Sequence, residues 1–230
     1  MEMRLLNFSV YFVVTTIFLC CSQGNDEGNS SSENESKVDW MHIKTQYGVE
    51  FDLPATMEIT SGEYTTLIDG NEVAHGSDAN NLTAQPINRK DSVNGIQKNY
   101  SAIILENVLG IPGQYEVLDF DTKMYSVEDM RQWEPMFKDK FNRDLISTGH
   151  KLIQWYPMSL LVINGMSCLH FNYSRQFQDN PEVMVHNYTF FNNDRMHSFG
   201  YSYRISETEL WANDFSKVLQ SLKIKKSNSF

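Results

Sequence analysis

The sequence predicts an α+β fold in which a long carboxy-terminal antiparallel meander is flanked by two amphipathic helices. Four strand-like runs follow one another between Lys151 and Ile205. The first two meet at Asn164-Gly165, a dipeptide that strongly favours a tight β-hairpin. Apolar side chains recur at three- and four-residue steps on both sides of this region, over residues 130–145 and 211–222.

Three strands are expected before the first helix. Tyr47–Leu53 alternates in polarity and stops at Pro54, Glu63–Ile68 ends at an Asp-Gly turn, and Asn99–Leu109 is closed by a glycine. Residues 70–95 are polar and rich in Asn, Asp and Gly, which predicts a long irregular loop.

Helix ends and one helix interruption are also readable. Ser126 with Asp129 fits the start of the first helix, and Pro135 inside that helix predicts a kink or a break into two helices. Ser206 and Glu209 have the spacing of a capping box at the start of the second helix.

The meander is expected to comprise four strands. The first, Lys151–Ile163, is predicted to break or bulge near Pro157; the others are Met166–Phe177, Glu182–Phe191 and Arg195–Ile205. An alternation of period two predicts that one face gathers the larger apolar side chains of three strands. These side chains are Leu169, Phe171 and Tyr173, then Met184, Tyr188 and Phe190, then Phe199, Tyr201 and Tyr203.

The amino terminus predicts export. Arg4 precedes an apolar run over residues 10–21 that is too short to span a bilayer, because spanning takes about 20 apolar residues. Residues 1–20 therefore fit a secretory signal peptide. The following residues 22–36 contain no apolar side chain and four acids, which predicts a flexible tether over 21–39 before a folded domain over 40–230.

The end of this signal segment resembles the lipobox of bacterial lipoproteins. The resemblance is carried by Leu19, Cys20 and Cys21, and it implies a lipid on Cys21, since lipidation of Cys20 would put Leu19 at the small-residue position. Ser22 resembles outer-membrane sorting signals, and the early acid pair Asp26-Glu27 resembles Bacteroidetes-type lipoproteins. An ordinary signal peptide with two chance cysteines stays open, as does the side of the membrane.

Composition limits the chemistry. The net charge of -10 argues against nucleic-acid binding and against a basic membrane-surface patch. Cys168, the remaining cysteine, lies in a strand-like run and is expected to be a buried, unreactive thiol. Ser92, in the tripeptide Asp91-Ser92-Val93, matches a Bacteroidetes O-glycosylation sequon by resemblance, and its modification stays open.

The order of strands, helix, Asn-Gly-centred meander and final helix resembles the PsbP-like fold. The residues that carry the resemblance are Tyr47–Pro54, Asn164-Gly165 and Phe215–Ile224, and it covers most of residues 40–225. It implies a binding or assembly factor without catalytic residues, although a fold alone does not fix a function.

No pattern predicts a catalytic, metal or cofactor site. A register that pairs Tyr173 with His186 and Phe190 with His197 puts His170 on the opposite face. His186 and His197 are then four positions apart, about 13 Å at strand rise, too far to share a metal. Nucleophile motifs and glycine-rich phosphate loops do not occur.

Trp155 and Tyr156, beside the predicted break, are the candidate surface for a partner or a ligand. The leading hypothesis is a non-enzymatic, lipid-anchored cell-envelope protein, attached to the membrane through Cys21, that binds or helps assemble a protein partner. The alternative is a lipoprotein that binds a small ligand or glycan through sheet aromatics near Trp155.

Overall fold

The computed structural model describes residues 39–68, 71–76, 80–88, 90–93, 96–97, 99–118 and 127–227. In this part of the chain, two helices and fifteen strands follow one another. They are β1 Trp40–Lys44, β2 Val49–Pro54, β3 Met57–Ser61, β4 Tyr64–Ile68, β5 Asn71–His75, β6 Asn81–Pro86, β7 Ser92–Val93, β8 Ile96–Gln97, β9 Ser101–Leu109, α1 Val127–Ser147, β10 His150–Trp155, β11 Ser159–Ile163, β12 Met166–Phe177, β13 Val183–Phe191, β14 Arg195–Arg204, α2 Thr208–Ser221 and β15 Lys223–Ile224.

The strands form two main sheets in which neighbouring strands are antiparallel. The larger sheet has the order β10-β12-β13-β14-β9-β6-β3, with β11 also paired to β12. The smaller sheet has the order β15-β2-β1-β4-β5, and β7 pairs with β8 alone. The predicted α+β class, with a long meander and two helices, is confirmed.

Apolar side chains cover both faces of the larger sheet, so the molecule has three layers. On one face, Phe141 of α1 packs on Phe171 of β12, with ring centroids 4.8 Å apart. On the other face, Phe51 of the smaller sheet meets Phe199 of β14 at 5.5 Å, and Phe215 of α2 stacks on Tyr201 at 4.4 Å. The larger sheet is therefore the central layer, and its edges are the places where backbone can reach solvent.

The meander agrees closely with the prediction. Strands β12, β13 and β14 begin and end within one residue of the expected bounds, and the chain leaves the sheet between β10 and β11, around Pro157. Asn164 and Gly165 have φ values of 49° and 80°, as a type I′ hairpin requires at both central positions.

The prediction of an irregular loop over 70–95 is wrong. This stretch contributes β5, β6 and β7, and β1 and β3 were also missed. Strand β6 reads as polar because Thr83 and Gln85 alternate with its apolar side chains, yet both are buried where β6 lies between β9 and β3. Long-range backbone pairing, which composition does not report, makes these residues a strand.

Two expectations about the helices are also corrected. The expected break into two helices is wrong, since α1 runs through Pro135 and the apolar side chains of its inner face, such as Phe141 and Leu145, hold it to the sheet; a kink at Pro135 stays a prediction. The Ser206–Glu209 box does not form, since a 3₁₀ turn over Ile205–Glu207 precedes α2 and shifts the helix start. Ser126, the expected cap of α1, lies outside the described residues.

The predicted face assignment of β12 is wrong by one residue. Tyr173 pairs with Val185, not with His186, and His170 pairs with Tyr188. The side chains of β12 that were expected on this common face, Leu169, Phe171 and Tyr173, therefore face α1. Those of β13 and β14 that were expected beside them face the smaller sheet and α2. The expected pair of Phe190 and His197 is confirmed. Period two could not decide the face of β12, because both faces are covered and both are apolar.

Candidate functional site

One edge of the larger sheet lies at β10 and β11, and β3 forms the other edge. Both strands pair with β12, and no other strand of the described residues lies against their outer side. An unpaired edge presents a row of backbone N–H and C=O groups that an extended segment of another chain can use. We call β10, β11 and residues 156–158 between them the Trp155 edge.

Two features limit how a strand can add to the Trp155 edge. The register of β10 shifts between Leu152 and Gln154, and Pro157 separates β10 from β11. Bulges and prolines are the devices by which proteins protect exposed edges from unspecific pairing. Ile153 and Val162 nevertheless remain 40% and 58% exposed, so each half of the edge offers one apolar side chain.

Trp155 is held in one orientation. Its ring stacks on Phe171 at 5.5 Å and on Tyr173 at 6.1 Å between centroids, and it is half-buried. Its indole Nε1 donates a hydrogen bond of 2.8 Å to Oε1 of Glu134 in α1. The remaining exposed part of the indole is thus a pre-ordered apolar surface next to the edge backbone.

Tyr156 is also half-buried, and its backbone N–H donates to the carbonyl of Asn172 at 3.0 Å. The two predicted site residues therefore lie at the last paired positions before the chain leaves β12. Three of the meander tyrosines that could have extended a ligand platform, Tyr173, Tyr188 and Tyr203, are buried. That Trp155 and Tyr156 contact a partner or ligand stays a prediction.

A row of stacked imidazole and phenol rings was missed from the sequence. His170 stacks on Tyr188 at 4.6 Å, His186 stacks on Tyr201 at 4.7 Å, and the two imidazoles are 6.0 Å apart. The expectation that His170 faces away from His186 is therefore wrong. Burial lowers the pKa of both imidazoles, to about 4 for His186. The alternation of side chains along β12 would have revealed this row if the register of β12 against β13 had been assigned correctly.

The described residues hold no group of three or more His, Cys, Asp or Glu side chains placed to bind a metal ion. The close pair of His170 and His186 is thus a pair of neutral imidazoles without a third ligand. Cys168 is fully buried, and burial raises its thiol pKa to about 12. This thiol stays protonated at neutral pH, which agrees with the expected unreactive cysteine.

Glu106 is a buried acid that the sequence analysis did not single out. It lies in β9 opposite Ser198 of β14 and is 8% exposed. Burial raises its pKa to about 7, partly offset by the positive charge of Lys140 on α1. The only signal was an acid in the middle of the apolar run Ser101–Leu109.

The predicted lipidation site Cys21, the alternative Cys20 and nearly all of the proposed tether lie outside the described residues. Ser92 lies in β7, and its glycosylation remains a prediction. No helix among the described residues is long and apolar enough to cross a membrane.

No protein-family model matches the chain, and no curated protein sequence matches it significantly. Solved structures similar to it include cyanobacterial PsbP (CyanoP) from Synechocystis, with 12% identity and a TM-score of 0.49 over 85% of this chain and 98% of that one. The Ran-binding protein Mog1p of Saccharomyces cerevisiae has 6% identity and a TM-score of 0.42 over 83% and 97%. A protein of Bacteroides thetaiotaomicron has 10% identity and a TM-score of 0.42 over 81% of this chain and 49% of its own.

The PsbP protein among these similar structures belongs to the family that the element order resembles. At such identities and scores the likeness does not extend to an activity, a ligand or a partner. The fold class rests on the antiparallel sheets and two helices described above, and the chain is similar to these proteins in that architecture.

Proposed function

We propose that the protein is a non-enzymatic, lipid-anchored cell-envelope factor that binds a protein partner by adding an extended segment of that partner to the Trp155 edge. The observation that carries the proposal is the unpaired outer side of β10 and β11 next to the fixed indole of Trp155. Backbone pairing would supply affinity, and the exposed side chains of Ile153 and Val162 would supply selectivity.

A binding role fits the chemistry of the described residues better than catalysis does. The thiol of Cys168 is buried and protonated, and the imidazoles of His170 and His186 are half-buried and neutral. Neither set brings a nucleophile, a base and an open substrate cavity together, which a hydrolase or transferase requires. The edge, in contrast, is complete as a strand-binding surface without any further group.

Attachment to the membrane is the other half of the proposal. A lipid on Cys21 followed by an acidic tether would hold the domain at the envelope, with a reach of about 20 Å for 15 flexible residues. A binding domain on such a tether meets membrane-associated partners at high local concentration.

The anchor is tested by fractionating cells that produce the wild type or Cys21→Ala, with membranes washed at high ionic strength. The wash removes contacts made by surface charges but not an acyl chain. We expect the wild type in the membrane fraction and Cys21→Ala in the soluble fraction. Cys21→Ala that stays with washed membranes would refute the lipid anchor.

The edge is tested by cross-linking in membranes that carry the wild type, the double variant Ile153→Asp/Val162→Asp, or the control Met136→Asp/Ile146→Asp. The control residues are at least as exposed, at 54% and 62%, but lie on α1. We expect the wild type and the control to capture the same protein, and the edge variant to lose it. No reproducible partner for the wild type, or equal capture by all three, would contradict the proposal.

A further inference from the structure

Three aliphatic side chains project into solvent at one end of the molecule. Leu109 ends β9, and Ile111 and Val117 follow on the connection towards α1; their exposed fractions are 52%, 71% and 41%. Single exposed aliphatics are ordinary, but three within nine residues concentrate apolar surface in one place. This connection, residues 109–117, is called the aliphatic tip.

The aliphatic tip is fixed to the rest of the fold. The backbone N–H of Gly110 donates to the carbonyl of Asp194 at 2.7 Å, and Tyr115 and Asn193 exchange backbone hydrogen bonds of 2.8 and 2.7 Å. The side chain of Asn193 also accepts from the N–H of Gly113 at 2.7 Å. A tip fixed in this way presents its apolar side chains at a small further cost in conformational entropy.

Basic side chains lie directly beside the aliphatic tip. A cleft of about 310 Å³ is lined by Pro112 of the tip and by Tyr47, Arg195, Lys225 and Lys226, among others. The guanidinium of Arg195 lies 5.8 Å above the ring of Tyr47 and forms two hydrogen bonds of 2.8 Å with its neighbour Asp194. Its charge is therefore balanced locally.

Lys225 and Lys226 are exposed, and no carboxylate of the described residues forms an ion pair with either. They add positive charge at this end, where Asp194 is paired with Arg195 and Glu116 is an exposed acid of the tip, although the whole chain carries a net charge of -10. The expectation that the protein has no basic membrane-surface patch was drawn from net charge alone and stays a prediction.

We propose that the aliphatic tip, together with Lys225 and Lys226, docks on an anionic lipid surface. Ile111, Leu109 and Val117 enter the boundary between headgroups and acyl chains, and the two lysines stay at the level of the lipid phosphates. Projecting aliphatics beside cations match a lipid interface, whereas a protein partner would need a groove to receive them. The docking needs no lipid on Cys21, so it stands apart from the proposed anchor.

The test uses the chain from residue 21 with Cys21→Ser, which has no acyl group, and sedimentation with vesicles. One vesicle preparation contains phosphatidylglycerol and phosphatidylethanolamine, and the other contains phosphatidylcholine alone. We expect binding to the anionic vesicles that weakens as salt is added, and little binding to the neutral ones.

Two variants remove the proposed contacts. Lys225→Glu/Lys226→Glu should weaken vesicle binding by at least about 30-fold, and Ile111→Ser should weaken it by about fivefold to tenfold. Lys90→Glu/Lys138→Glu changes the net charge equally at two other exposed lysines, and Met136→Ser removes an exposed apolar side chain from α1. Both controls should bind as the parent does, with unchanged circular dichroism for all four variants.

If both charge-reversal variants lost binding equally, the net charge of the chain and not the position of Lys225 and Lys226 would determine vesicle binding. That result would overturn the proposal. Equal binding to neutral and anionic vesicles would do the same. If the parent chain fails to bind vesicles but is retained by an acidic protein through Lys225 and Lys226, this end belongs to a protein interface and the lipid proposal is wrong.

Discussion

Asn164 links the hairpin between β11 and β12 to the end of α2. Its backbone takes the positive φ of the turn, and the two N–H groups of its side-chain Nδ2 are shared among the carbonyls of Leu222 at 2.5 Å, Gln220 at 3.0 Å and Leu219 at 3.2 Å. The last carbonyls of a helix have no intrahelical partner, so an amide donor there satisfies them. Asn164 therefore both forms the hairpin turn and caps the end of α2, 55 residues later in the chain.

Asn164→Asp should separate these two roles. Aspartate tolerates the same turn, but its carboxylate cannot donate, and its charge meets the negative end of the helix dipole. We expect a loss of about 1–2 kcal/mol in the free energy of unfolding, measured by urea denaturation at pH 7. Asn164→Gly, which removes the cap without adding charge, should lose less. An Asp variant as stable as the wild type would show that the cap has no net effect.

Among the elements, those with strong local signals could be predicted and those defined by distant partners could not. Strands β12, β13 and β14 are long, apolar and joined by short turns, so their bounds are readable from the chain. Strands β5 and β6 are polar, and their pairing partners β4 and β9 supply what their own composition lacks.

The candidate site was partly predictable for the same physical reasons. Pro157 marks a break in a strand from sequence alone, so Trp155 and Tyr156 could be placed at an interruption. That the interruption lies at the edge of the larger sheet depends on strand order, which no local pattern encodes. The stacked pair of His170 and His186 depends on register, and the apolar character of both faces of β12 hid it.

Helix α1 offers a direct test of how tertiary packing overrides propensity. Pro135 has no N–H to donate to the carbonyl four residues earlier, and its ring crowds that carbonyl. Because the backbone is already helical there, Pro135→Ala should restore one hydrogen bond without moving the helix. We expect a gain of about 1–3 kcal/mol in the free energy of unfolding by urea denaturation.

Met136→Ala is the matched control for this prediction, because Met136 is the next residue and its side chain is largely exposed. Its effect should stay within about 0.5 kcal/mol. A Pro135→Ala variant that is less stable than the wild type would mean that the proline fixes a bend on which the packing of Phe141 and Leu145 depends.

At the scale of the whole molecule, the central sheet buries titratable groups of opposite kinds. His197 is fully buried, with Nδ1 2.7 Å from Oδ1 of Asn107 and Nε2 3.1 Å from Nδ2 of Asn192. In the neutral ring, Nδ1–H donates to Oδ1 of Asn107 and Nε2 accepts from Nδ2 of Asn192. A second proton, on Nε2, would point at the Asn192 donor and break that hydrogen bond. Burial lowers the pKa of His197 to about 4. Asn192 also donates to the carbonyl of Lys225 at 3.0 Å, so this network holds the carboxy-terminal segment.

These groups contribute to stability with opposite dependence on pH. The folded protein binds fewer protons at His197 than the unfolded chain between pH 6.5 and about 4, so acid lowers stability in that window. At Glu106 the folded protein binds more protons between pH 4.5 and about 7, so acid raises stability there. Each of these two shifts corresponds to about 3 kcal/mol, so Glu106 offsets roughly one buried histidine, while His186, whose pKa is lowered in the same way, adds to the loss of stability in acid.

Glu106→Gln should expose the histidine contribution. The amide has the shape of the protonated acid and carries no charge, so it removes the cost of burying the carboxylate above pH 7. We expect the variant to exceed the wild type by up to about 3 kcal/mol in the free energy of unfolding at pH 8. At pH 4 the two proteins should be equally stable, so urea denaturation across this range should show that the variant loses more stability in acid than the wild type does.

Glu116→Gln, at an exposed position, should follow the wild type at every pH. A Glu106→Gln difference that stays constant with pH would mean that packing, and not ionisation of Glu106, sets its effect.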